Sequence, residues 1–535
     1  MADALKNVLI VASEFEPFTG IGHIGRVTAK LSAALANHAD VRVAIPMYGS
    51  IPGKFTRGAS QLHDFGAAIG RRQYDCKVHG TLYGGVPVYM VGVGDYFAKD
   101  DVYTSVRYDI ERFSCFCDAV LKMLPRLDFQ PDIVQCHDWP TSFVPILHKA
   151  SQERDMPPDA FSTLFVIHSM QYQGICTRYD MLELLDLPSE FFTPASLEFY
   201  GQANCLKGGL LFSDRLATVS ESFASEIQHS YYGENLEGII RTRAADLSGI
   251  LCGIDTVAFD PSTDKRIPAN YSEADVAYNK AVNKLQLQKE LSLAQDSSAP
   301  LVLVISDTFE YDKGMDLIRH VFDDIVATGA QVVFASRGEN VDNHEYCAAM
   351  ASLMPTQVAY AGMLCGGGDR IGHGVGYGGI DESDGIADYN SKNWENRVGA
   401  PNEAYPAAPR PEVAETLCFA GADMLLRPSR IEPCGENHLI AMRYGTVPIV
   451  RETGGLKDVV VPLDDDTGDG NGFSFYNYNA HDMLYTLNRA ISTYRENPTA
   501  WGRLVASAMA VNVPWAKTAD MYAKLYASIK RDAIL

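Results

Sequence analysis

The sequence predicts two α/β domains in tandem, each built on a layered parallel sheet. Three observations predict it. Short apolar runs alternate with amphipathic helical stretches, the alternation restarts near residue 299, and the composition is ordinary for a globular chain. Hydrophobic residues are 47% of the 535 and charged residues 21%, enough apolar chain for more than one core. A disordered, collagenous or disulfide-scaffold protein is thereby excluded.

Residues 8–12, Val-Leu-Ile-Val-Ala, read as a buried parallel strand, because an unbroken apolar run suits a sheet covered on both faces. A glycine turn follows at 18–25. An amphipathic helix then carries Val27, Leu31, Ala34 and Leu35. Further strands are expected at 41–46, 87–91, 132–136 and 164–167. The second series runs through 299–305, 331–335, 356–360, 422–426 and 447–450. A final helix over 516–530 has an apolar face of Met521, Tyr522, Leu525, Tyr526 and Ile529. The expected organisation is an N-terminal domain over 1–265, a linker over 266–298 with one Lys-rich helix, a C-terminal domain over 299–510, and the final helix in 511–535. One segment breaks the pattern. Residues 365–410 lack periodicity, eight of the fourteen residues 366–379 are glycine, and Asp381, Glu382, Asp384 and Asp388 follow. Loops of this length are functional or mobile, and the acidic spacing does not fit a calcium loop.

The formal net charge is −22, which disfavours DNA, RNA and anionic membranes as partners. Neither a secretory leader nor an 18-residue apolar run is found, so a cytoplasmic chain without a membrane span is expected. The eleven cysteines lack metal or redox spacing and read as buried or idle thiols.

In doubly wound sheets, ligands bind beyond the carboxyl ends of the strands. Four clusters fall at such edges. The first is the turn holding Gly20, Gly22 and Gly25, followed by Arg26. Its spacing also suits a dinucleotide fold or a simple tight turn, but no acidic residue follows the second strand at 44–48. The second is His137-Asp138-Trp139-Pro140 and the third begins at His168. A histidine and an aspartate there can grip sugar hydroxyls or face a developing positive charge; singly, each is more often a satisfied polar residue. The fourth is 428–439, with Glu432 and a helix starting near Gly435, Glu436 and Asn437, whose free N–H groups suit a phosphate. Thr453-Gly454-Gly455 forms another turn of this kind.

Together, and in this order, the clusters resemble the bacterial glycogen synthase and plant starch synthase family. Runs such as Leu197-Glu198-Phe199-Tyr200-Gly201, Gly253-Ile254-Asp255 and Arg443-Tyr444-Gly445-Thr446 strengthen the likeness, which spans nearly the whole chain. The resemblance implies a GT-B fold, two Rossmann-like domains facing across a cleft, with the final helix crossing back to the N-terminal domain. It implies a retaining glucosyltransferase that passes glucose from ADP-glucose to the 4-hydroxyl of an α-glucan end, without a metal or cofactor. It assigns Glu432, His168 and Asp138 to the donor sugar, Lys313 to the donor phosphates, and the helix start at 435–437 to the diphosphate.

The sequence departs from the family at the donor phosphates. The family's Lys-Thr-Gly-Gly-Leu is here Gly20-Ile21-Gly22-His23-Ile24, without its lysine, and Arg26 replaces an acidic residue. Asp307 stands where the family has an arginine, and Glu436 introduces a carboxylate at the diphosphate helix. Arg26 and His23 read either as surface residues or as groups that restore some charge at the donor. Three readings follow: an active glucan-elongating enzyme with a rewired donor site, a catalytically silent glucan-binding or regulatory protein, and an enzyme with another donor.

Overall fold

The first strand is sealed because its side chains have apolar neighbours on both faces: Val8, Leu9, Ile10 and Val11 are fully buried. In this computed structural model the described residues are 6–20, 22–98, 102–152, 161–306, 309, 311–336, 341–364 and 412–532. They form two units, one made of residues up to Gly253 together with those from Trp515 onward, the other of residues between 254 and 514.

The first unit contains β1 (Lys6–Val11), β2 (Ala39–Pro46), β3 (Ser60–Ile69), β4 (Arg72–Tyr83), β5 (Val86–Val93), β6 (Ile133–His137), β7 (Ser162–Ile167), β8 (Ile175–Cys176), β9 (Glu198–Phe199), β10 (Gln202–Asn204), β11 (Arg215–Thr218) and β12 (Leu247–Gly249). Nine of these make one sheet in the order β12-β11-β7-β6-β1-β2-β5-β4-β3, and β8-β10-β9 make a small separate one. Pairing is parallel from β12 to β5. Beyond β5 it is antiparallel, which the sequence reading did not anticipate. The physical reason is that β3 and β4 form an edge hairpin with one face in solvent, so they lack the continuous apolar run that marks the parallel strands.

Register matters for the site. Val11 lies opposite Cys136, and His137 lies opposite Val166. The carboxyl ends of β1, β6 and β7 are therefore level, and Glu14, Asp138 and His168 leave the same edge. The helix His23–Leu35 buries Val27, Leu31 and Leu35 on the stripe expected from their spacing. The last helix, Trp515–Asp532, packs against it. Tyr522, Tyr526 and Ile529 are buried there, and Met521 and Leu525 are half-buried.

The second unit contains β13 (Leu301–Ser306), β14 (Gln331–Ser336), β15 (Val358–Leu364), β16 (Glu412–Ala414), β17 (Met424–Arg427), β18 (Val447–Arg451) and β19 (Phe473–Phe475), ordered β16-β15-β14-β13-β17-β18-β19. Every pairing is parallel. The helix Val276–Glu290, inside the stretch read as a linker, packs on the helix Glu415–Gly421 with polar residues turned inward. Lys284 Nζ lies 2.6 Å from Asp423 Oδ2, and Lys280 donates to the carbonyls of Phe419, Ala420 and Tyr444. Buried cations meeting carboxylates and carbonyls explain why polar composition hid this core helix. Asp307 and residues 365–410 lie outside the described residues. No helix among the described residues is long and apolar enough to cross a membrane.

Candidate active site

The first unit gathers its polar groups at the carboxyl edge of β1, β6 and β7. Glu14 is buried just beyond β1. Its carboxylate accepts from the Gly22 N–H at 3.1 Å and from the Tyr103 hydroxyl at 2.7 Å. Gly22 caps the helix His23–Leu35 in an extended conformation, so the turn delivers an N–H to a carboxylate of the protein itself. Gly25 lets the helix start close to the turn, since a Cβ there would lie 3.0 Å from the Gly20 Cα. Arg26 sits half-buried in the first turn of that helix.

Asp138 takes a positive φ of 56°, tolerable for aspartate, which turns its side chain back towards β7. Its Oδ1 accepts from the His168 N–H at 2.7 Å. Burial pushes the Asp138 carboxyl up to about 7, against the lowering effect of backbone N–H bonds from His168 and Ser169. His168 Nε2 meets His137 Nδ1 at 2.8 Å, and the His23 ring lies edge-on to His168 at 5.8 Å. Burial brings His137 down to about 3 and His168 well below the ordinary range, so both rings are neutral at physiological pH.

The second unit centres on Glu432, buried in the loop after β17. Its Oε2 accepts from Arg427 Nε at 2.9 Å, Arg427 Nη2 at 2.7 Å and Ser429 Oγ at 2.9 Å. Lys313 Nζ lies 3.4 Å from both carboxylate oxygens. Burial pushes the Glu432 carboxyl up, but the Arg427 and Lys313 charges and the Ser429 and Arg427 hydrogen bonds outweigh it and bring it down to about 2. Lys313 closes a short turn before Gly314, whose φ of 77° and close approach to the Pro428 carbonyl exclude a side chain.

Gly435 and Glu436 lead into the helix Asn437–Arg443, with Glu436 as its half-buried N-cap residue. Thr453-Gly454-Gly455 lies directly against this loop. The Gly455 N–H donates to the Glu432 and Pro433 carbonyls, and a Cβ at Gly455 would lie 1.8 Å from the Cys434 carbonyl oxygen. This turn props the Glu432 loop rather than offering that N–H to an anion.

The residues named from sequence thus fall into two clusters: Gly22, Gly25, Arg26, Asp138 and His168 in one unit, and Lys313, Glu432, Gly435, Glu436, Asn437 and Thr453–Gly455 in the other. Sequence reading missed Glu14, Gln135 and Arg427. Arg427 was hidden at the end of an apolar strand, where its only signal was a charge among Met424, Leu425 and Leu426. Glu14 carried the matching signal, an acidic residue just past the first apolar run.

The starch synthase catalytic domain profile matches residues 7–242. A glycogen synthase of Bacillus cereus is 35% identical over 524 residues, covering 98% of this chain and 99% of its own. One from Desulforamulus reducens is 37% identical over 521 residues, covering 97% and 98%. Among solved structures, the catalytic domain of starch synthase IV from Arabidopsis thaliana, bound to ADP and acarbose, matches with a TM-score of 0.79 and 26% identity over 98% of this chain and 99% of its own. The sucrose-phosphate synthase of Thermosynechococcus elongatus, at 12% identity and a TM-score of 0.56 over 98% and 100%, shares the fold alone. With relatives above 30% identity along nearly its whole length, this chain belongs to the glycogen and starch synthase family of GT-B glycosyltransferases.

Proposed function

We propose that the protein elongates an α-1,4-glucan by moving glucose from a nucleotide sugar, ADP-glucose, to the 4-hydroxyl of a non-reducing end with retention of configuration. The observation that carries this reading is the buried Glu432 carboxylate, kept ionised by Arg427, Ser429 and Lys313. Breaking a sugar–diphosphate bond develops negative charge on the departing phosphate and positive charge on the sugar, and preorganised charges at both places lower the barrier. Lys313 and Arg427 supply the cations. Glu432 accepts hydrogen bonds from the donor sugar. In the first unit His168 and Asp138 are assigned to the glucose and Gly22, Gly25 and Arg26 to the donor; in the second, Gly435, Glu436, Asn437 and Thr453–Gly455 are assigned to the donor. The nucleotide sugar is a co-substrate, and family membership brings no further cofactor. The proposed setting is the cytoplasm.

Arg427 favours this reading over a silent glucan-binding protein, because it puts a second cation, beside Lys313, on Glu432. Purified protein given ADP-glucose and glycogen should release ADP in step with glucan growth. Absence of turnover with both ADP-glucose and UDP-glucose sinks the proposal.

A further inference from the structure

In the first unit a buried chain of hydrogen bonds runs from the last helix to His168. The Tyr526 hydroxyl donates to Gln135 Oε1 at 2.6 Å, Gln135 Nε2 lies 2.9 Å from His137 Nε2, and His137 Nδ1 lies 2.8 Å from His168 Nε2. Gln135 and His137 are fully buried, Tyr526 and His168 nearly so. The polarity of the chain follows from its ends. A carboxamide offers one acceptor oxygen and one donor nitrogen. With Oε1 occupied by the Tyr526 hydroxyl, the amide N–H points at His137. A neutral imidazole has one N–H and one lone pair, so His137 Nε2 accepts and its proton sits on Nδ1. That proton points at His168 Nε2, which accepts in turn. Reversing every bond would leave the Tyr526 hydroxyl proton buried without an acceptor, for that oxygen has no other partner among the described residues. At the other end, His168 Nδ1 is enclosed and has no hydrogen-bond partner among the described residues.

We propose that Tyr526, Gln135 and His137 are positioning residues that lock His168 in the tautomer protonated on Nδ1, presenting that N–H as a donor to a hydroxyl of the bound sugar. The inference rests on the transferase reading above, since it takes a sugar as the acceptor of that hydrogen bond. It gives the last helix a role beyond covering the sheet: a residue near the chain's end sets which nitrogen of His168 faces the substrate. Burial, by keeping both rings neutral, preserves the alternation of donor and acceptor along the chain.

The test is the ring-nitrogen spectrum of full-length protein labelled with 15N-histidine. The His137 and His168 signals are identified by their loss in His137→Gln and His168→Gln proteins. Both rings should be protonated on Nδ1; protonation of either on Nε2 overturns the proposal. Gln135→Met and Tyr526→Phe then remove the amide donor and the group that orients it. Each should lower kcat for transfer from ADP-glucose to glycogen about tenfold to a hundredfold, the range seen when outer positioning partners are lost. The KM for glycogen should hold, and in Gln135→Met the His168 Nδ1–H signature should be lost. An intact His168 signature with wild-type kcat in Gln135→Met refutes it. A wild-type protein without transferase activity would instead remove the functional reading, while the tautomers would still be read from the spectrum.

Discussion

Glu432 and Asp138 are both buried carboxyls, yet their surroundings drive them in opposite directions. Glu432 has two cations and a hydroxyl against it and is held at about 2, below its ordinary 4.5. A depressed folded-state pKa contributes stability that is present above 4.5 and is lost as the pH falls towards 2, worth about 3 kcal/mol at about 1.4 kcal/mol per unit. Glu432→Gln should therefore flatten the acid limb of the stability curve in this window, as read by urea melts at successive pH values. It should also cut transfer by about 10²–10³, the cost of losing one preorganised group at a developing charge. Among the described residues Asp138 accepts hydrogen bonds only from backbone N–H groups, and burial raises it to about 7 from 3.8. A raised pKa means that stability is present below 3.8 and falls away as the pH climbs to 7. Asp138→Asn should thus melt higher than wild type at pH 8, by up to about 2 kcal/mol once weaker N–H bonds are set against the removed charge, while transferring glucose more slowly. A lower melting point at pH 8 would show that the carboxylate is stabilised there after all. Arg427→Met isolates the cation that sequence reading overlooked. It strips Glu432 of its closest partner and should lower kcat at least tenfold in a steady-state assay.

Among the elements, the loop after β17 and the turn after β18 act as one body. Gly455 is the contact point, because no side chain fits against the Cys434 carbonyl. Gly455→Ala should shift the Glu432 loop, cost about 1–3 kcal/mol in overpacking strain and reduce transfer severely, checked by thermal melting and kinetics together. A fully active Gly455→Ala enzyme would show that the turn is not what holds the loop. The parallel strands were legible because burial on both faces writes an apolar run into the sequence. The β3–β4 hairpin was not, because a half-exposed edge carries weak alternation. The helix Val276–Glu290 misled for a related reason: Lys280, Lys284 and Gln288 look solvent-facing until their buried partners, distant in sequence, are known.

At the scale of the molecule, the ten described cysteines are free and buried. Burial pushes the Cys117, Cys136, Cys205 and Cys418 thiols up, away from the reactive thiolate. Native protein should therefore show at most one rapidly titrating thiol, with all eleven appearing only after denaturation. Two or more fast thiols would contradict this burial. The sequence by itself determined the two α/β series, the family and most of the candidate site, because strand ends, glycine turns and polar clusters are local signals written in consecutive residues. Tertiary structure alone decided that Arg427 shares Glu432 with Lys313, that Glu14 rather than a ligand meets the Gly22 N–H, and that Tyr526 reaches His168 through Gln135 and His137. Lys313 and Glu432 are 119 positions apart and Gln135 and Tyr526 are 391 apart, the Glu14–Gly22 bond depends on how the loop after β1 folds back, and the proton order in a buried hydrogen-bond chain depends on distances that no spacing along the chain encodes.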